Sequence, residues 1–113
     1  MHAPQSAVLL RIYTEEGRMS GHRPLYEAIV FKARDLGLAG ATVLRGPMSF
    51  GHSHAIRTAK ILDLSARLPL VIEIVDSADK IQSLLDAFED MGDVGLVTRE
   101  TVEVLHYGRH KPD

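Results

Sequence analysis

Residues 8–10 (VLL) of this chain are apolar at consecutive positions, and so are residues 70–75 (LVIEIV) apart from Glu73. Because alternate residues of a strand point to opposite faces of a sheet, such runs predict central strands that are apolar on both faces. A second apolar face needs a cover. We expect that cover to be further copies of the chain, arranged around a three-fold axis. The alternative is a monomer in which the extra apolar side chains cap a sheet edge.

The remaining periodicity predicts alternating strands and helices, with the clearest helical spacing at Ile81, Leu84, Leu85 and Phe88. The order is strand, helix, strand, long loop, strand, helix, strand. Two helices on one face of an antiparallel sheet define an α+β, ferredoxin-like βαββαβ sandwich, which we expect to form one domain over residues 1–113. The predicted strands are Ser6–Thr14, Ala41–Arg45 (with Met48–Phe50 as an optional extension), Leu70–Val75, and Leu96–Tyr107 with an optional break at Arg99–Glu100. The predicted helices run from Pro24 to Gly37 and from an N-cap at Asp76 or Ser77 to before Gly92.

Composition excludes several classes of function. The 113 residues carry a formal net charge of −2 and contain no cysteine. The scattered cations argue against a nucleic-acid surface, and the absence of thiols excludes disulfides and cysteine–zinc sites. No apolar stretch is long enough to span a bilayer and no signal peptide is visible, so we expect a cytoplasmic protein. We also find no catalytic constellation and expect that the chain is not an enzyme.

The loop predicted over residues 52–67 is long enough to be functional, and a solvated tail is expected over residues 109–113. Glycines beside Arg45 and Phe50, at Gly46 and Gly51, would let a ligand approach the backbone, and arginine can pair with phosphate or carboxylate. Arg57 and Lys60 could likewise meet an anion. The alternative for all of these residues is a bulged strand end with ordinary surface cations.

Three further features allow either a structural or a functional interpretation. His52 and His54 could contribute to a metal site, although exposed loop residues explain the pair more simply. Glu73 interrupts an apolar strand, so its carboxylate must be ion-paired, hydrogen-bonded or located at an interface between subunits. Gly92 and Gly95 could present backbone N–H groups to an anion or simply form a turn.

Taken together, a set of motifs between Ala7 and Gly108 resembles an uncharacterised prokaryotic family, domain of unknown function 190, which is distantly related to the nitrogen regulatory protein PII. The motifs are Leu10–Tyr13, Pro24–Ile29, Leu38–Gly46, Thr58–Lys60, Leu68–Pro69, Val71–Asp76 and Gly95–Thr98.

The PII resemblance implies a homotrimer that binds adenine nucleotides (ATP, ADP or AMP) in clefts between subunits. It also implies that the 52–67 loop contacts a partner such as a membrane transporter or an enzyme. Leu96 stands where PII has a lysine, and Val104 and His106 stand near the PII C-terminal arginines. The alternative function is a CutA-like trimer that binds metal. The ligand-binding residues expected from the residue patterns and the resemblance are Gly40, Thr42, Arg45, Gly46, Phe50, Gly51, Arg57, Lys60, Glu73 and Gly95.

Overall fold

The structure is a computed structural model that describes residues 5–51, 54–58 and 67–108. No helix within these ranges is both long and apolar enough to cross a membrane. In chain order, the elements are β1 (Gln5–Glu15), β2 (Met19–Ser20), β3 (Arg23–Pro24), α1 (Leu25–Asp35), β4 (Thr42–Arg45), β5 (Met48–Ser49), β6 (Arg57–Thr58), β7 (Pro69–Asp76), α2 (Ala78–Ala87) with a 3₁₀ turn at Phe88–Asp90, and β8 (Leu96–Val104).

Four of the strands form one antiparallel sheet in the order β4–β7–β1–β8. The long strands β1 and β7 are central, as their continuous apolar sequence predicts, and the shorter or more polar strands β4 and β8 form the edges. This order, with two helices on one face, confirms the predicted ferredoxin-like α+β fold.

The core lies between the helices and one face of the sheet. Strand β7 is buried at every second residue, so that Ile72 and Ile74 point inward, as do Leu10 and Ile12 of β1. The helices complete this layer with fully buried side chains, namely Leu25 and Ile29 of α1 and Ile81 and Leu84 of α2.

Helix boundaries follow local chemistry. The Ser77 hydroxyl accepts a hydrogen bond from the Lys80 N–H at 3.3 Å and caps α2, which resolves the choice between Asp76 and Ser77. Gly37 ends the first helical segment with a φ of +80°, as predicted. Pro24 is the residue before α1 rather than its first residue.

Two short hairpins were missed by the sequence interpretation. Strand β2 lies between the first predicted strand and the first predicted helix, where no strand was expected, and it pairs with β3 directly before α1. The optional extension of β4 through Met48 was wrong: Met48–Ser49 form the separate strand β5, which pairs with β6 rather than with β7. Strand β6 also lies inside the 52–67 region predicted to be an irregular connection. The remainder of that region over residues 52, 53 and 59–66, and the predicted tail, lie outside the described residues.

Strand β8 corrects a second boundary. It runs without interruption through Arg99 and Glu100 and ends at Val104, so that the chain has left the sheet before Tyr107.

The other face of the sheet, here called the open face, carries no helix among the described residues. Its cross-strand register places Leu44, Val71, Tyr13 and Leu96 in one row across all four strands. Tyr13 is 41%, Leu44 48% and Leu96 63% exposed, so the expected second apolar face is present and uncovered in a single copy. The neighbouring row is polar and consists of Thr42, Glu73, Arg11 and Thr98.

The two ends of the chain segment between β4 and β7 meet at Glu16. Its carboxylate accepts a hydrogen bond from Arg45 Nη2 at 2.8 Å through one oxygen and from the Leu68 N–H at 3.1 Å through the other. The Glu16 N–H donates to the Leu68 carbonyl at 3.0 Å, and the Gly46 N–H donates to the Pro69 carbonyl at 2.9 Å. We call these four bonds the loop-base contacts.

Candidate ligand-binding cleft

A cleft of about 280 Å³ opens where β4 and β7 separate. The pairing of these strands ends at Thr42 opposite Glu73, and the chain before Thr42 moves away from β7. The residues that line the cleft come from β1, β7, the start of β4 and the segment after β8: Leu9, Gly40, Ala41, Thr42, Glu73, Val75 and Tyr107.

The Glu73 carboxylate, which lines the cleft, belongs to an ion-pair network. Arg11 Nε donates to Glu73 Oε2 at 2.8 Å, and Arg11 Nη1 donates to Glu100 Oε1 at 3.0 Å. The hydrogen bond to Glu73 raises the pKa of the Arg11 guanidinium, with further contributions from attraction to Glu73 and Glu100 that outweigh desolvation. Arg11 therefore stays charged and holds the Glu73 carboxylate on the open face, which accounts for a glutamate inside an apolar strand.

The opposite side of the cleft is backbone. Gly40 has open space around the position that a Cβ atom would occupy, so a ligand can approach its peptide groups closely. The preceding Ala39 N–H donates to Asp76 Oδ2 at 2.9 Å. Together with the Thr42 hydroxyl, this side offers hydrogen-bonding groups but no cation.

Three of the predicted ligand-binding residues, Gly40, Thr42 and Glu73, are thus brought together. Arg45 and Gly46 lie at the far end of β4. Arg45 follows Leu44 of the open face and is paired with Glu16 in the loop-base contacts, away from the cleft.

The other predicted residues are dispersed. The Phe50 ring stacks on His54, with ring centroids 6.1 Å apart, and is 64% exposed beside Gly51. Arg57 belongs to β6, and Lys60 lies outside the described residues.

Gly95 lies directly before β8, at the opposite edge of the sheet from β4. Three strand spacings separate these edges, about 14 Å. Gly95 has a φ of +97°, and a Cβ atom there would collide with the Tyr13 carbonyl oxygen, so its local role is a close backbone approach.

The part of the chain that the structure describes contains no cluster of three His, Asp or Glu side chains that could hold a metal ion. His54 is described, with a positive φ of 61°, whereas its proposed partner His52 is not.

The ligand-binding residues expected from the sequence do not include four that line the cleft and one that supports it. Leu9 and Val75 carried a signal, because they are the open-face members of the two apolar strands. Ala41 and Tyr107 carried no such signal in the sequence, since their positions depend on where the chain enters and leaves the sheet. Asp76 was noted only as a helix cap, although it interrupts the inward apolar alternation of β7.

The fold of this chain is shared with solved proteins that are described as PII-like. Over 91% of this chain, the structure superimposes on 93% of a PII-like protein from Thermus thermophilus, with a TM-score of 0.65 and 17% sequence identity. It is equally similar (TM-score 0.65, 17% identity, 90% of this chain and 91% of the other) to CPII, a nitrogen regulatory PII-like protein from Thiomonas intermedia that was solved bound to ADP, AMP and bicarbonate. By sequence, the chain belongs to the family DUF190 (uncharacterized ACR), whose model matches residues 7–104.

Sequence relatives agree with the family assignment. A UPF0166 protein of Aquifex aeolicus is 38% identical over 98 residues, which cover 87% of this chain and 92% of that protein. A UPF0166 protein of Methanocaldococcus jannaschii is 33% identical over 79 residues, which cover 70% of this chain and 72% of that protein.

Proposed function

We propose that this chain is a cytoplasmic regulatory protein rather than an enzyme, and that it forms a homotrimer which binds an adenine nucleotide at clefts between subunits. The observation that carries the proposal is the cleft itself. It joins Gly40, Thr42 and Glu73, three residues expected from the PII resemblance, on a sheet whose open face is apolar.

The separation of Gly95 from this cleft supports an assembled site. Gly40 precedes the edge strand β4 and Gly95 precedes the opposite edge strand β8, and only Gly40 lines the cleft of a single copy. When a second copy covers the open face, the β8 edge of one sheet can face the β4 edge of the other. The site would then be completed by the partner copy, and the cleft described above, whose lining residues include no cation, would receive its phosphate-binding groups from across the interface.

The ligand class is supported by the CPII structure, which holds ADP, AMP and bicarbonate in the same fold. The cleft suits the nucleoside part of such a ligand. Its hydroxyl, carboxylate and peptide groups can hydrogen-bond a base or a ribose, while Leu9 and Val75 provide apolar contact.

The regulatory output would come from the 52–67 loop. Ligand binding at the subunit interface would change the conformation of this loop and thereby its affinity for a membrane transporter or an enzyme.

Titration calorimetry with ATP, ADP and AMP, each with and without bicarbonate, tests the ligand. We expect at least one nucleotide to bind, and Thr42→Val to weaken that binding about fivefold because one hydrogen bond of about 1 kcal/mol is lost. Thr101→Val is the matched control. Thr101 is exposed on β8, on the face opposite to the cleft, and its replacement should leave the affinity unchanged.

Absence of binding by all three nucleotides, in a sample shown to be folded, would contradict the nucleotide proposal. If zinc or copper raised the melting temperature of the same sample instead, the CutA-like alternative would replace it.

A further inference from the structure

Asp76 is the one charged residue among the buried residues that the structure describes, with 1% of its surface exposed. It occupies an inward position of β7, where Leu70, Ile72 and Ile74 precede it at the same spacing. Burial of a carboxylate is costly unless hydrogen bonds compensate for the lost hydration. The alternation of β7 would place an aliphatic side chain at this position. The carboxylate found there instead indicates that a hydrogen-bond acceptor is needed.

The partners of the carboxylate are two backbone N–H groups. Oδ1 accepts from the Ser77 N–H at 2.7 Å, and Oδ2 accepts from the Ala39 N–H at 2.9 Å. The first bond is local, at the start of α2. The second spans 37 residues of chain and joins the end of β7 to the segment that leads into β4.

This second bond lies at the cleft. Ala39 immediately precedes Gly40 and Asp76 immediately follows Val75, and both Gly40 and Val75 line the cleft from opposite sides. Ladder pairing between β4 and β7 stops at Thr42, so it does not fix the position of Gly40. A further hydrogen bond between α2 and this segment, from Lys80 Nζ to the Leu36 carbonyl, is long at 3.4 Å.

We infer that Asp76 is a positioning residue of the cleft, whose carboxylate holds the Ala39 backbone and thereby sets the distance between Gly40 and Val75. Its importance for ligand affinity rests on the function proposed above. Its effect on the backbone does not, and can be measured without ligand.

Hydrogen exchange of the backbone amides, followed by NMR, tests the ligand-free part. In the wild-type protein, the Ala39 amide should exchange at least tenfold more slowly than the amide of the exposed Gly40. Asp76→Asn keeps the shape but replaces one acceptor with an NH₂ group, so Ala39 exchange should accelerate about tenfold beyond any change at core amides such as Ile72. Asp79→Asn is the control: it removes the same charge from an exposed position three residues away and should leave Ala39 unchanged.

The second arm measures nucleotide affinity by calorimetry at a temperature where both variants are folded. Asp76→Asn should weaken binding about fivefold or more, whereas Asp79→Asn should not. Equal acceleration at all amides, or unchanged affinity in a variant with a loosened Ala39, would overturn the inference.

The two proposals fail separately. If the wild-type protein binds no nucleotide, the proposed function fails and the exchange measurement alone decides the role of Asp76. If Asp76→Asn does not fold, the exchange rate of the Ala39 amide in the wild-type protein still tests the role of Asp76. An unprotected Ala39 amide would show that the long-range hydrogen bond does not hold this backbone.

Discussion

Replacing Gly95 with alanine should destabilise the protein by about 3 kcal/mol, the largest effect that we expect from adding a single methyl group. Gly95 has a φ of +97°, which L-residues adopt only with strain, and the added Cβ would collide with the Tyr13 carbonyl oxygen of the adjacent strand. The colliding atom belongs to the backbone of a central strand and cannot rotate away. Urea unfolding at fixed protein concentration, followed by circular dichroism, measures the loss.

Gly92→Ala provides the matched control. Gly92 also has a positive φ, +82°, but a Cβ there would meet no atom within 4 Å. Its replacement should cost about 1 kcal/mol, the conformational penalty alone. Equal losses in the two variants would show that the close approach to Tyr13 contributes nothing.

Tyr13→Glu should convert the assembled protein to single subunits. Tyr13 lies in the middle of the apolar row on the open face, between Val71 and Leu96. A carboxylate at this position would have to be buried without a partner when a second copy covers the face, at a cost of several kcal/mol per subunit. Light scattering coupled to size-exclusion chromatography should show a three-subunit mass for the wild-type protein and a one-subunit mass for the variant.

Met19→Glu is the control for this experiment. Met19 is 53% exposed, and it lies on the β2–β3 hairpin rather than on the open face. It should retain the wild-type mass, and circular dichroism should show that both variants are folded. A wild-type mass of one subunit at micromolar concentration would contradict the proposed assembly.

Much of the fold could be predicted because its signals are local. The apolar runs around Leu10 and Ile72 specify central strands by themselves, and Gly37 ends its helix through a conformation that its residue type favours. The hairpins could not be predicted, because β2 and β5 are only two residues long and their apolar content is too small to show a period. Their pairing depends on tertiary geometry rather than on propensity.

The cleft was only partly predictable for a different reason. Glu73 was conspicuous as a charge in an apolar strand, and its pairing with Arg11 explains it. Tyr107 gave no signal, since its place depends on how the chain turns after β8 ends. Arg45 and Gly95 attracted attention for their chemistry, but the sequence around them does not show at which edge of the sheet, or at which end of a strand, they lie.

The loop-base contacts have a consequence for how such proteins can diversify. Because Glu16 ties Arg45 to Leu68, the ends of the intervening segment are held close together by residues outside it. The entropy of closing a loop with fixed ends rises only slowly with its length, by about 0.6 kcal/mol for each doubling. Insertions, deletions or complete exchange of that segment should therefore reduce the stability of the sheet only slightly. New recognition sequences could be introduced there, by evolution or by design, while the rest of the fold stays intact.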